Sequence, residues 1–489
     1  MNMSWERLDE YVNMLKPAYD KNSVQSIYEH ALKLKGHTLA DLVPKTLIMT
    51  NARNKGDLGS LVERIYFEHI PAQNHGPDFP EAGLELKTTG VESRVRKSGY
   101  RAKERLSLMM IDYETLGKET WKTSSLLNKC KLMLIQLYDY GQGNSVTERI
   151  FVLDPLLILL CDTTELDIPP GSADLKFIES KCLRIPQVDL QIIKDDWELI
   201  RRMVIEGKAH ELSEGDTNYL KASRKGDGGA DEAKRRQINS NHLAKSRGFS
   251  LKQGYLSKLI ESHETSSGTL GVLPNLSFEQ ATQLKFKPFI GMSVNEISQH
   301  FGFFKRNKNH KGFHKELAIR ILADGGGSVP ELEKAEIKLK TIRVEKSDSS
   351  AEYKPKEAMS FRNFKYLELV DQEWEESFFA EDIEKRFLFV VFQIHSNFEE
   401  RLVRVFYWNM PLDDRMEAER VWKDTKRRVA INARDLPKSS ESHVAHVRPH
   451  ARNANDTERT PQDEFLVKKS FWLNQKYIAK IVTENLTDR

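Results

Sequence analysis

The sequence predicts an α+β protein made of two tandem copies of one domain, the second copy catalytically degenerate. Three observations carry this expectation. The chain has 489 residues, too many for one ordinary core. Its halves resemble each other in order: "ELKTTGV" (85–91) matches "KLKTIRV" (338–344), an offset that recurs at Leu106/Met359, Ser107/Ser360 and Trp121/Trp374. In the second copy of one charged stretch, the acids of the first are replaced.

Further pairs keep the same order. "GHTLADL" (36–42) matches "GMSVNEI" (291–297), "DWELIRRMV" (196–204) matches "VWKDTKRRV" (421–429), and "GFSLKQGYLSKLI" (248–260) matches "SFWLNQKYIAKIV" (470–482). Two long copies indicate a duplicated domain rather than a solenoid. The polar stretch "ESHETSSGTLG" (261–271) reads as the linker, which puts the domains at 1–262 and 263–489.

Each half opens with helices, as in "SVQSIYEHALKL" and "LGSLVERIYFEHI", whose apolar residues recur at helical spacing. Strand-like runs follow, "AGLELKTTGV" and "CKLMLIQLYDY", and then amphipathic helices around Trp197 and Tyr255. The second half repeats the plan, with "KRFLFVVFQI" (385–394) as its clearest strand.

Composition excludes several classes. Hydrophobic residues make up 39% and charged residues 30%, the balance of a globular protein. No apolar run approaches a membrane span, and the N-terminus lacks a signal-peptide core. Cys130, Cys161 and Cys182 fit neither a zinc site nor a disulfide framework, so a reducing, cytoplasmic setting is expected. With 75 basic and 72 acidic residues the net charge is +3, so any nucleic-acid surface must come from local clusters such as 92–105, 232–237 and 305–311.

The stretch "DFPEAGLELK" (78–87) carries the candidate chemistry. Alternation along a strand puts Glu85 and Lys87 on one face and turns Leu86 to the other. Asp78, Glu85 and the preceding Glu63 offer the oxygen ligands that Mg2+ takes, alongside water and phosphate. A lysine beside such a metal can orient or deprotonate an attacking water. In the repeat, Glu63 pairs with Ile319, Asp78 with Glu331, Glu85 with Lys338 and Lys87 with Lys340. The second half is therefore expected to bind without cutting.

"KGDLGSLVE" (55–63) and "DFPEAGLELKT" (78–88) resemble the MutH family of GATC-specific endonucleases, with "DWE" (196–198) and "RGFSLK" (247–252) as later landmarks. The two-copy arrangement, with "KERLSL" (103–108), "EGKAHELSEG" (206–215), "HVRPH" (446–450) and "KSFWLN" (469–474), resembles one branch, the Sau-three-A-type type II restriction endonucleases. The resemblance implies a PD-(D/E)XK-type catalytic domain and Mg2+-dependent double-strand cleavage at 5′-GATC-3′, before the G. It implies that Glu63, Asp78, Glu85 and Lys87 are the catalytic set, with Glu63, Asp78 and Glu85 holding the metal. It also implies that Lys55 contacts DNA.

Lys225, with Arg224 and Lys252, is a further DNA-binding candidate in the first half. Arg448, His450 and Lys468 are candidates in the second. Trp472 is either a base contact or core. GATC is palindromic, so one intact site per chain implies a homodimer on DNA, and a cognate GATC methyltransferase is the expected functional companion. The alternatives are a MutH-like mismatch-repair nicking endonuclease and a non-catalytic DNA-binding regulator.

Two departures from the family pattern matter. Its base-reading Arg-Pro pair is Ser223-Arg224 in the first half and Arg448-Pro449 in the second. Ser250 stands where the family has a tyrosine associated with adenine methylation. Without that aromatic ring, discrimination against methylated adenine is expected to be small. Digestion of fully methylated and unmethylated GATC substrates at matched concentration checks this, and poor cutting of the methylated substrate counts against it.

Overall fold

The computed structural model describes residues 18–43, 57–70, 76–95, 98–141, 146–224, 234–265, 277–303, 312–346 and 353–487. The first half contains α1 (Val24–Leu32), α2 (Asp57–Leu61), β1 (Leu84–Ser93), β2 (Tyr100–Ala102), β3 (Leu106–Met110), α3 (Ser125–Cys130), β4 (Leu132–Asp139) and β5 (Leu156–Leu159). It continues with α4 (Gln187–Ile205), β6 (Leu220–Arg224), β7 (Lys234–Gln237), β8 (Ser240–Lys245), β9 (Arg247–Leu251) and α5 (Gln253–Thr265). Helix α5 runs through residue 262 and ends at Thr265.

The second half contains α6 (Phe313–Leu322), α7 (Pro330–Lys334), β10 (Lys338–Lys346), β11 (Tyr353–Pro355), β12 (Met359–Asn363), α8 (Phe378–Ile383), β13 (Phe387–Ile394) and β14 (Glu400–Trp408). Helix α9 (Leu412–Asn432), β15 (Ala445–Pro449), β16 (Thr457–Arg459), β17 (Phe465–Val467), β18 (Lys469–Leu473) and α10 (Gln475–Thr487) complete it.

The sheets repeat element for element. Order β2-β1-β4-β5 in the first half becomes β11-β10-β13-β14 in the second, β3-β9-β6 becomes β12-β18-β15, and the hairpin β7-β8 becomes β16-β17. In each large sheet one parallel pair sits at the centre. Its register sets Glu85 opposite Met133 in one half and Lys338 opposite Phe387 in the other. Strand β4 is buried along its whole length, as a central strand covered on both faces must be. The helices before the central strands start alike. Ser124 Oγ accepts from Leu127 N at 3.1 Å, and Ser377 Oγ accepts from Ala380 N at 3.0 Å.

The halves are joined by a seam rich in charge. Lys334 of α7 enters the first half and pairs with Asp189 of α4 at 3.1 Å, each side chain only 1% exposed. Its ammonium also lies over the Tyr219 ring, 5.4 Å from the centroid. Arg247 of β9 pairs with Glu384 at 3.2 Å, and Lys221 of β6 with Glu336 at 3.4 Å. Arg415 of α9 donates to the Leu212 carbonyl at 3.1 Å. Backbones approach closely at Gly254, where an added Cβ would lie 1.9 Å from the Glu333 carbonyl oxygen, so no other residue fits this seam unshifted.

The Lys334–Asp189 pair gives a sharp expectation. Lys334→Ala leaves a buried carboxylate without its partner and should destabilise the chain by on the order of 3 kcal/mol. Replacing both partners by apolar residues, Lys334→Met with Asp189→Leu, should recover most of that loss in chemical denaturation.

Candidate active site

Strand β1 brings the acidic cluster together at its N-terminal end. Asp78 lies in the turn before the strand, and its Oδ2 accepts a hydrogen bond from Leu86 N at 2.9 Å. Glu85 is 1% exposed, and its Oε2 accepts from Asp78 N at 3.1 Å. Each carboxylate thus fixes the backbone that carries the other. Lys87, on the same strand face, is ion-paired with Glu85 Oε1.

Glu63 reaches the cluster from the helix side. Helix α2 gives way to a π-helical turn over Val62–Tyr66, and Glu63 lies in it. Such turns insert a residue into a helix and are frequent at functional sites. The equivalent helix α6 is regularly α-helical through Ile319.

Burial and mutual repulsion set the protonation of the acids. Burial, reinforced by neighbouring Asp78, pushes the Glu63 carboxyl up to about 7. Burial also raises the Glu85 carboxyl, opposed by Lys87. The Lys87 ammonium is buried too, but Glu85 holds it above the usual lysine range. Below the cluster Cys130 is fully buried and its thiol is pushed up to about 12, which makes it packing rather than a nucleophile.

Two residues in the site were not singled out in the sequence. Lys129, at the end of α3, pairs with Glu85 Oε2 at 3.1 Å and donates to the Gly76 carbonyl at 3.0 Å. Glu85 is therefore gripped by a lysine on each oxygen. His69 Nε2 lies 3.8 Å from Asp78 Oδ1. Lys129 had a signal in the repeat: it aligns with Asp382, opposite in sign, just as Glu85 aligns with Lys338. His69 had none.

The donor set suits a hard divalent cation. Glu63, Asp78 and Glu85 lie close enough to act on one another electrostatically, and Mg2+ needs only one or two carboxylates beside water and phosphate. Among the described residues, however, no three His, Cys, Asp or Glu side chains are already arranged to hold a metal ion. Lys87 and Lys129 stand in as the counter-charge of Glu85.

The DNA-binding candidates divide. Lys55 and Lys225 lie outside the described residues. Arg224 and Lys252 are not on an open surface, contrary to expectation. Arg224 lies 3.6 Å from Glu214 and 4.0 Å from Glu384, in the seam. Lys252 is 2% exposed and donates to the carbonyls of Thr217 at 2.6 Å and Ala335 at 3.0 Å. The physical reason is that sheet β3-β9-β6 is covered by the second half, whose carboxylates and carbonyls take up its basic edge. Ser250 is fully buried there, its hydroxyl 2.7 Å from that of Ser223.

The equivalent sheet of the second half is open where Arg448 lies. Its exposed guanidinium stacks on Trp472, 4.0 Å from the ring centroid. His450 packs edge-on against the same ring at 5.2 Å and bonds Asn363 Oδ1 at 2.8 Å. Lys468 is beside them, paired with Asp456 at 2.7 Å. Trp472 is thus a half-buried platform for two candidates rather than core. Among the described residues no helix is long and apolar enough to cross a membrane.

Comparison with known proteins gives two matches. The sequence profile of the family described as DNA mismatch repair enzyme MutH matches residues 52–167 and 323–419. The first region contains Glu63, Asp78, Glu85, Lys87 and Lys129, and the second contains Lys338, Lys340 and Asp382. A type II restriction enzyme of Staphylococcus aureus, Sau3AI, is 28% identical over 521 aligned positions, covering 94% of this chain and 99% of its own length.

The raised Glu63 carboxyl predicts a trade between stability and function. An acid with a raised folded-state value favours folding fully below about 4.5, and that advantage is lost as pH rises through about 7. Above that the native chain must bury a charge. Glu63→Gln should therefore be more stable than the native chain at pH 8, by on the order of 3 kcal/mol. The gain should fade between pH 7 and pH 4.5, and the variant should lose cleavage. Thermal melts across that range, without added metal, check the sign.

Proposed function

We propose that this chain, a MutH-like restriction endonuclease of the Sau3AI type, cuts both strands of DNA at 5′-GATC-3′ with its first half and holds another copy of the site with its second. The observation that carries this reading is the asymmetry of the repeat. Glu63, Asp78, Glu85 and Lys87 converge at the start of β1, whereas the same places in the second half hold Ile319, Glu331, Lys338 and Lys340. We take the catalytic half as residues 1–262 and the binding half as 263–489.

Hydrolysis of a phosphodiester needs an activated water, an in-line approach and stabilisation of the charge that develops on phosphorus oxygens. Glu63, Asp78 and Glu85 would hold Mg2+, which supplies Lewis-acid stabilisation and lowers the pKa of a bound water. Lys87 is kept protonated by Glu85, so its role is to orient the attacking water and donate to the phosphate. Lys129 holds the far oxygen of Glu85, which keeps the carboxylate in one orientation as the site loads. Cleavage before the G would leave 5′-phosphate ends.

Arg448, His450 and Lys468 supply the second half with an arginine suited to a guanine edge and with basic groups suited to phosphate. The stacking of Arg448 on Trp472 limits the freedom of its side chain before DNA arrives. One active site cuts one strand, so both strands of a palindrome require two chains related by its two-fold axis. A second bound GATC raises the local concentration of the partner chain and favours that dimer. A cognate GATC methyltransferase would protect the host's own sites.

A plasmid digest with Mg2+ tests the reading. Plasmids with no GATC, one and several are compared for the native chain and Glu85→Ala. Linear fragments ending at GATC, formed faster with several sites and absent in the variant, are expected. Cleavage that ignores the site, or that survives Glu85→Ala, would falsify it.

A further inference from the structure

The pocket that stands in place of the catalytic cluster in the second half has kept its architecture and exchanged its charges. In the first half a strand carboxylate, Glu85, pairs with a helix lysine, Lys129, at 3.1 Å. In the second half a strand lysine, Lys338, pairs with a helix carboxylate, Asp382, at 3.7 Å. Lys129 and Asp382 are equivalent because each stands five residues after the capping serine of its helix, Ser124 or Ser377. Lys338 and Glu85 are equivalent in the sequence repeat, at the same offset that relates Ser124 to Ser377. A pair reversed at both ends keeps its contact and gives up any use for a cation.

The new pocket carries surplus positive charge. Asp382 accepts two hydrogen bonds from Arg362, at 3.0 and 2.9 Å. Glu381 is shared by Arg362 at 2.8 Å and Lys385 at 2.6 Å. The two carboxylates are thus matched by Arg362 and Lys385 before Lys338 and Lys340 are counted. Lys340 is half-buried on the same strand face as Lys338, with no carboxylate at ion-pair distance among the described residues. The charges that act on it are Asp382 and the two lysines Lys338 and Lys315. Like charges held together at a half-buried site are unfavourable until an anion joins them. The lysines are accessible to one: Lys338 is 42% exposed and Lys315 is exposed.

We infer that Lys338 and Lys340, with Lys315 at the rim, form a metal-independent binding site for a backbone phosphate of the DNA held by the second half. This rests on the reading that the second half binds DNA. It adds a specific phosphate contact at the degenerate site and a reason for its chemistry. In the first half the carboxyl groups outnumber Lys87 and Lys129, so the cluster has no surplus positive charge for a phosphate. In the second half the lysines contact the phosphate directly, so binding needs no metal and leads to no cleavage.

The test is binding of a GATC duplex by the full chain in EDTA, where the acidic cluster of the first half disfavours DNA and cleavage is absent. Affinity is measured across a salt series for the native chain, Lys338→Met/Lys340→Met, Asp382→Asn and Arg448→Ala. The double variant should bind about tenfold more weakly, with a salt dependence reduced by roughly one to two phosphate contacts. Asp382→Asn, which removes a negative charge from the pocket, should bind more tightly than the native chain. Unchanged affinity and salt dependence in the double variant overturn the inference. If the double variant fails to fold, Asp382→Asn decides: unchanged or weaker binding overturns it. Arg448→Ala separates the two levels. Loss of binding there, with the double variant unaffected, sinks the lysine pocket alone. Binding indifferent to Arg448→Ala sinks the reading on which it rests.

Discussion

Charge taken out of water must be matched, and that constraint organises this protein at each of its important places. Glu85 is almost wholly buried and is tolerated because a lysine holds each of its oxygens. The same rule governs the equivalent place in the second half, where Lys338 has Asp382 and Asp382 has Arg362. It governs the seam, where Lys221 meets Glu214 at 2.8 Å and Arg247 meets Glu384 at 3.2 Å.

The seam changes how the repeat is understood. The stretch "ELEKAEIKLK" aligns with the turn and strand that carry Asp78, Glu85 and Lys87, and it keeps acids of its own. They have not been left idle. Glu336 pairs with Lys221 at 3.4 Å, Glu333 with Lys258 at 3.2 Å, and Lys334 is buried against Asp189. The Ala335 carbonyl accepts from Lys252. The stretch that gathers the acidic cluster in one half is the docking element of the other. With the seam closed, the basic edge of β6 and β9 faces protein, and the open sheet edge is the one carrying Arg448.

Much of this was legible in the sequence, and the division has a physical cause. Glu63, Asp78, Glu85 and Lys87 could be read because strand alternation and helix spacing are local, and because the second copy supplied a contrast. That the two halves share one sheet order followed from the same ordered repeat. Arg224 and Lys252 were misplaced because a basic residue on a strand looks alike whether its face meets solvent or another domain. Burial by a partner domain is set by residues far along the chain, such as Ala335 for Lys252 and Glu384 for Arg224. Lys129 fell between: no motif marks it, yet its sign reversal against Asp382 was present in the alignment of the halves.

That reversal shows which features of a duplicated domain are free to change. The parallel pair β1–β4 and its copy β10–β13 keep their register, and Ser124 and Ser377 cap equivalent helices through the same hydrogen bond. These are packing and backbone constraints, and a one-residue slip would turn every inward side chain outward. Charge at the pocket is under no such constraint, provided that each buried charge still finds a partner. A scaffold can therefore pass from a cluster that suits a cation to one that suits an anion by exchanging both members of a pair, Glu85 with Lys338 and Lys129 with Asp382. The fold is untouched by the exchange, and the chemistry available at the strand end is inverted.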